Sequence, residues 1–175
     1  MKKFSSEDVR LEAWSRGPLF VAPTELARAN KSAMERHFLA EWNGDIEATM
    51  ATMHPDQPWQ RIPALGVNVN GTEAVREYYL SRFNIWPGPA MEYFDRVSIV
   101  DTCLYVEGVL RVTPKGEFGG VSTNATLLSA PAIIVVDFRD GLVAGETVYV
   151  DAASLNGQTF HEHTGRPTEN EKSTA

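Results

Sequence analysis

Apolar positions change period along this chain, from a helical rhythm in the first half to strand alternation in the second. Leu26, Ala29, Ala33, His37 and Ala40 recur at three- and four-residue spacing, and Thr24 stands where an N-cap is wanted. The pattern predicts a helix from Thr24 to about Trp42 with His37 on its inward face. Asn43-Gly44 ends it, and Asp45 caps a shorter helix with Ile46, Met50 and Met53 on its buried side, stopped by His54-Pro55-Asp56. Pro58 to Ile62 reads as a short strand whose alternation puts Trp59 and Arg61 on one face and Gln60 and Ile62 on the other. After the Asn70-Gly71 turn, Thr72 is expected to cap a third helix with an apolar face of Val75, Tyr78, Tyr79 and Phe83, closed by Trp86-Pro87-Gly88-Pro89.

From Met91 onward the pattern is strands: Met91 to Val100, Cys103 to Val112, Val121 to Ser129 continuing as Ala132 to Phe138, and Leu142 to Val150. Turn residues between them predict antiparallel hairpins, and Pro131 predicts a bulge or bend that curls the sheet. Helices followed by a meander imply an α+β fold. Residues 1–23 have Trp14, Pro18, Leu19 and Phe20 but no sustained period, and read as an arm packed by a few anchors. Residues 24–156 form the domain, and 157–175 a polar tail whose last ten residues hold too little apolar content to fix themselves.

Composition narrows the function. The chain has 175 residues, 43% of them apolar, enough for one buried core and short for two. Sixteen basic against 23 acidic residues give a net charge of −7 without a basic run, which argues against nucleic acid and anionic membrane as partners. Cys103 is the single cysteine, so neither an intramolecular disulfide nor a CxxC motif can form, and a buried structural thiol is expected. No stretch approaches the roughly 20 apolar residues of a membrane span, and a cytoplasmic location is expected. His161 and His163 around Glu162 offer no closed ligand set, so no metal is expected.

The order of elements, together with EWNGDIEATMATMHPDQPW, NGTEAVREYYLSRF and DFRDGLVAGETVYVD, resembles the SnoaL-like polyketide cyclase branch of the nuclear transport factor 2-like superfamily over roughly residues 24–156. The resemblance implies a cone-shaped (cystatin-like) fold in which three N-terminal helices pack on a curved antiparallel sheet around a pocket. It also implies acid–base chemistry on small, largely apolar molecules without metal or organic cofactor, and a homodimer through the outer sheet face. By this likeness His37 falls where steroid isomerases place an oxyanion-stabilising tyrosine, and Arg61 near their carboxylate base. Ile134 replaces their second oxyanion donor, and Val148 takes the position of the cyclases' catalytic aspartate.

The candidate chemistry is therefore a different polar set. Glu146 precedes Val148 by two residues and shares its face. His37 and Glu146 are alternative bases, while Arg61, with Tyr78 or Tyr79, stabilises an oxyanion or phenolate. Trp59, Phe83, Trp86, Ile134 and Val148 are expected to bind an aromatic or polyketide-like substrate. Elimination, retro-aldol cleavage, double-bond shift and cyclisation share such an intermediate, so the reading is a cofactor-independent lyase or isomerase. The alternative is a carrier or accessory protein using the pocket without turnover.

Overall fold

The computed structural model describes residues 3–118, 121–122 and 127–155. The expected tail, with His161 and His163, lies outside the described residues, as do 123–126 of the third strand run. The fold is α+β. Helix α1 (Leu11–Trp14) and strand β1 (Leu19–Val21) precede α2 (Glu25–Trp42), α3 (Ile46–Thr52), β2 (Trp59–Ile62), β3 (Val67–Asn70) and α4 (Thr72–Ile85). Then come β4 (Met91–Ile99), β5 (Cys103–Val112), the short pair β6 (Glu117–Phe118) and β7 (Val121–Ser122), β8 (Leu128–Arg139), β9 (Leu142–Val150) and α5 (Ala152–Leu155).

Local chemistry sets the helices. Thr24 Oγ1 accepts from the Ala27 amide and Asp45 Oδ1 from that of Ala48, at 3.1 and 3.0 Å, each satisfying a donor the first turn cannot. The third cap differs from expectation. Gly71, at φ 90°, precedes α4, and Thr72 is the first helical residue, its hydroxyl donating to the Pro55 carbonyl. A backbone turned to positive φ is where glycine is the natural choice.

Seven strands form one curved, open sheet in the order β1-β4-β5-β8-β9-β2-β3. Its centre is the expected antiparallel meander, but β1 joins β4 in parallel and β2 joins β9 in parallel, two long-range pairings that hairpin signals do not reveal. Pro131 makes no bulge: it pairs with Val109 inside an unbroken β5–β8 register. It sits where β9 has ended its pairing, at Ala132↔Val150, so its missing N–H interrupts no ladder there. The irregularities fall instead between Met91 and Arg96 on β4 and at Asp137/Phe138 on β8.

Helices α2 and α4 cover the concave face. Met34, Val75, Val97, Ile99, Leu104, Val106 and Val136 make its solvent-free centre. The arm belongs to this core through two of the expected anchors, Leu19 and Trp14, the latter packed on Trp42 with ring centroids 4.5 Å apart, and through Val9 and Leu11, which are fully buried, whereas Phe20 is exposed. A smaller cluster of Ile62, Trp86 and Val112 lies beside the space left between α4 and the sheet.

Candidate functional site

That space is a cavity of about 90 Å³ that opens to solvent. Phe38, Trp42, Phe94, Trp86 and Ile134 contribute aromatic and aliphatic wall, while Glu41, Gln60, Tyr78, Arg82 and Glu146 bring the polar groups. Each polar residue arrives by a simple spacing. Glu41 follows His37 by four residues on α2, and Arg82 follows Tyr78 by four on α4, so each pair shares a helix face. Gln60 lies opposite Glu146 in the parallel β2–β9 register, and both point inward.

Behind the wall sits a buried relay. His37 is fully buried, its Nδ1 2.6 Å from Thr52 Oγ1 and its Nε2 3.1 Å from the Tyr79 hydroxyl. Thr52 gives its only hydroxyl hydrogen to the Thr49 carbonyl, at 2.6 Å. Nδ1 therefore donates, and Nε2 carries the lone pair. That lone pair faces two carboxyls, Glu41 Oε2 and Glu146 Oε1, both 3.7 Å away. Arg82 Nη2 forms an ion pair with Glu41 Oε1 at 2.8 Å and donates to the Gly88 carbonyl at 3.0 Å. Glu146 Oε2 accepts from Gln60 at 3.1 Å, with the Tyr79 hydroxyl 3.4 Å away.

The electrostatics follow from burial. Removal from water, reinforced by the neighbouring Glu41 charge, pushes the Glu146 carboxyl up to about 8, against the pull of Gln60, Arg82 and Tyr79. At neutral pH Glu146 thus mostly keeps its proton. Burial lowers His37, with Glu41 opposing and Arg82 adding to the shift, so the ring stays neutral. Burial also raises both Tyr78 and Tyr79, which remain phenols and act as hydrogen-bond donors.

His37, Tyr78, Tyr79 and Glu146 meet at this place, with only Tyr78 and Glu146 on the cavity wall. Trp86, Ile134 and Val148 also line it, while Phe83 packs against Tyr79 in the core, ring centroids 5.8 Å apart. Arg61 and Trp59 do not enter it. Their strand presents Gln60 and Ile62 inward, leaving Arg61 on the outer face with its guanidinium 5.2 Å from the Trp59 ring and bonded to Asn70 Oδ1 at 3.4 Å. The cation expected from Arg61 is supplied by Arg82. Glu107 and Arg111, whose face alternation alone leaves open, lie outside the cavity and pair with Arg96 and Glu92.

His37, Glu41 and Glu146 offer ligand atoms that all lie within 4.8 Å of one another, close enough to surround a metal ion. Two of these groups are already engaged. Nε2 faces the Tyr79 hydroxyl, and Glu41 is paired with Arg82, whose charge opposes a second cation beside it.

No family model matches the chain, and no curated protein matches it in sequence. Solved structures do match in fold. A provisionally assigned SnoaL-like polyketide cyclase from Jannaschia sp. CCS1 superposes with a TM-score of 0.62 at 18% identity, covering 76% of this chain and 92% of its own. One of the same description from Shewanella denitrificans OS-217 gives 0.63 at 10% identity, covering 74% and 95%. A Catenulispora acidiphila protein with a ketosteroid isomerase-like fold, solved with trimethylamine, gives 0.55 at 14%, covering 77% and 93%.

Proposed function

We propose that this chain, which has the nuclear transport factor 2-like fold, is an acid–base enzyme of the lyase or isomerase class acting on a small aromatic or polyketide-like carbonyl compound. The observation that carries the reading is a pair of buried carboxyls on one cavity wall in unlike environments. Glu41 is ion-paired with Arg82, and Glu146 holds its proton. Environments that separate two carboxyls in this way assign one as base and one as acid. The names of the structural neighbours agree with small-molecule chemistry in such a pocket.

In this mechanism Glu41 takes a proton from the carbon beside a carbonyl, and the C–H electron pair becomes the enol double bond. Glu146 gives its proton to the oxygen that gains charge or, in an elimination, to the hydroxyl that leaves as water. Glu41 then carries one proton more and Glu146 one fewer. His37 Nε2, 3.7 Å from an oxygen of each, returns the proton between them. The base thus moves to Glu41, because Glu146 at neutral pH is better suited to give a proton than to take one. Arg82 assumes the anion-stabilising part expected of Arg61.

The test is turnover on a panel of aromatic and polyketide-like ketones, followed by mass spectrometry, with ligand binding read from tryptophan quenching. Glu41→Gln and Glu146→Gln are each expected to cut kcat by at least about 100-fold while binding persists. Binding without product from the unaltered protein across the panel would instead make it a carrier. Dialysis against a chelator is expected to leave turnover unchanged, whereas loss restored by added zinc would transfer the role of acid to a metal-bound water. The same reading includes a homodimer through the outer sheet face and a cytoplasmic location. Among the described residues no helix is long and apolar enough to cross a membrane.

A further inference from the structure

We infer that the cavity selects an uncharged, hydroxylated aromatic ketone, whose carbonyl oxygen accepts from Arg82 Nη1 and whose hydroxyl donates to Gln60 Oε1. The inference rests on the acid–base reading above and names the substrate class for the same site. Arg82 and Gln60 are each only 3% exposed, and both line the cavity. Arg82 Nη1 and Gln60 Oε1 are buried and lack a hydrogen-bond partner. Buried polar atoms are partnered in nearly every native protein, so two orphans on residues that line one cavity point to groups that a ligand brings.

The kind of group follows from what each residue has already spent. Gln60 gives its amide hydrogens to Glu146 Oε2, at 3.1 Å, and to the Tyr78 oxygen, so only its carbonyl is left, and that asks for a donor. Arg82 spends Nη2 on Glu41 and Gly88, so Nη1 asks for an acceptor. The two residues hold the carboxyls that both approach His37 Nε2, so the two open contacts fall at the same polar end of the cavity. The Arg82 charge is matched by Glu41, and Glu146 is protonated. A ligand carboxylate at this end would therefore face Glu41 without a counter-ion of its own. The ring of the ligand is left to Phe38, Trp42, Trp86 and Phe94.

Calorimetric titration of the unaltered protein with 3- and 4-acetylphenol, their methyl ethers, acetophenone and 3-hydroxybenzoate separates these contacts. At least one acetylphenol isomer is expected to bind about tenfold tighter than its ether, a difference of about 1.4 kcal/mol, because the ether can accept but not donate. The benzoate is expected to bind about tenfold more weakly than 3-acetylphenol. In Gln60→Leu, which keeps the side-chain bulk, the preference for phenol over ether should vanish while acetophenone affinity stays within about twofold. Equal binding of phenol and ether to the unaltered protein, tighter binding of the benzoate, or a preference that survives Gln60→Leu would each overturn the inference. The measurement is independent of turnover. Selective binding without product leaves this inference standing and removes the reaction, whereas turnover without selectivity does the reverse.

Discussion

Glu146 keeps its proton because burial takes it out of water and the Glu41 charge lies beside it, and these outweigh the pull of Gln60, Arg82 and Tyr79. That has a consequence for stability as well as for chemistry. Its folded carboxyl titrates near 8 against an ordinary value of 4.5, so between those pH values the unfolded chain has lost a proton that the folded chain retains. Stability from this group therefore falls as pH rises through that window. His37 acts on the other flank: held below its ordinary 6.5, it makes the unfolded chain the better proton acceptor as pH drops under 6.5, and stability is lost toward acid. Glu146→Gln should flatten the fall in melting temperature between pH 6.5 and 8, and an unchanged slope would show that Glu146 is not the group responsible. On the proposed reaction, kcat of the unaltered protein should decline above about pH 8, where Glu146 loses its proton. Arg61→Ala should change turnover by less than about twofold, since its side chain lies across the sheet from the cavity. Sequence spacing made His37, Tyr78, Tyr79 and Glu146 legible as inward residues. It carried the same signal for Glu41 and Arg82, four residues further along each helix, but charges near helix ends ordinarily read as solvated, and what buries these two is their mutual ion pair.

At the scale of elements, local signals and long-range ones separate cleanly. Caps and apolar spacing are written within a few residues, so α2, α3 and the central strands can be placed from the sequence. Which face of β2 turns inward cannot be, because alternation is symmetric and only the parallel register with β9 breaks the tie. That register sets Trp59 beside Gly145 on the outer face and Gln60 beside Glu146 on the inner. An aromatic residue suggests the inner face by hydrophobicity alone, yet here the indole covers the glycine: a Cβ added at Gly145 would lie 2.3 Å from the Trp59 ring. Gly145→Ala must therefore displace Trp59 or spread β2 from β9, costing about 1–3 kcal/mol. Because β2 carries Gln60, turnover should fall with stability. Thermal melts and tryptophan fluorescence test this together, and a variant with unaltered emission and melting temperature would show that the contact is not tight.

Among the described residues, one broad face of the molecule has nothing packed on it. Helices cover the concave side of the sheet, while on the convex side Tyr105, Ile133 and Tyr149 are 47%, 44% and 54% exposed on three adjacent strands. Ile133 pairs directly with Tyr149, and Tyr105 with Val135, so the residues form a continuous apolar area rather than scattered points. The Arg96–Glu107 and Arg111–Glu92 pairs, at 3.0 and 2.7 Å, lie toward one side of it, an arrangement of apolar centre and polar rim that suits a self-complementary contact. Sedimentation at micromolar concentration should give twice the chain mass of 19.4 kDa. Ile133→Lys with Tyr149→Lys should return the chain mass with an unchanged circular dichroism spectrum, because both side chains point away from the core. A single 19.4 kDa species from the unaltered chain would refute the dimer. Loss of turnover on dissociation would show that the pairing also steadies β9, the strand that carries Glu146 on its inner face and Tyr149 on its outer.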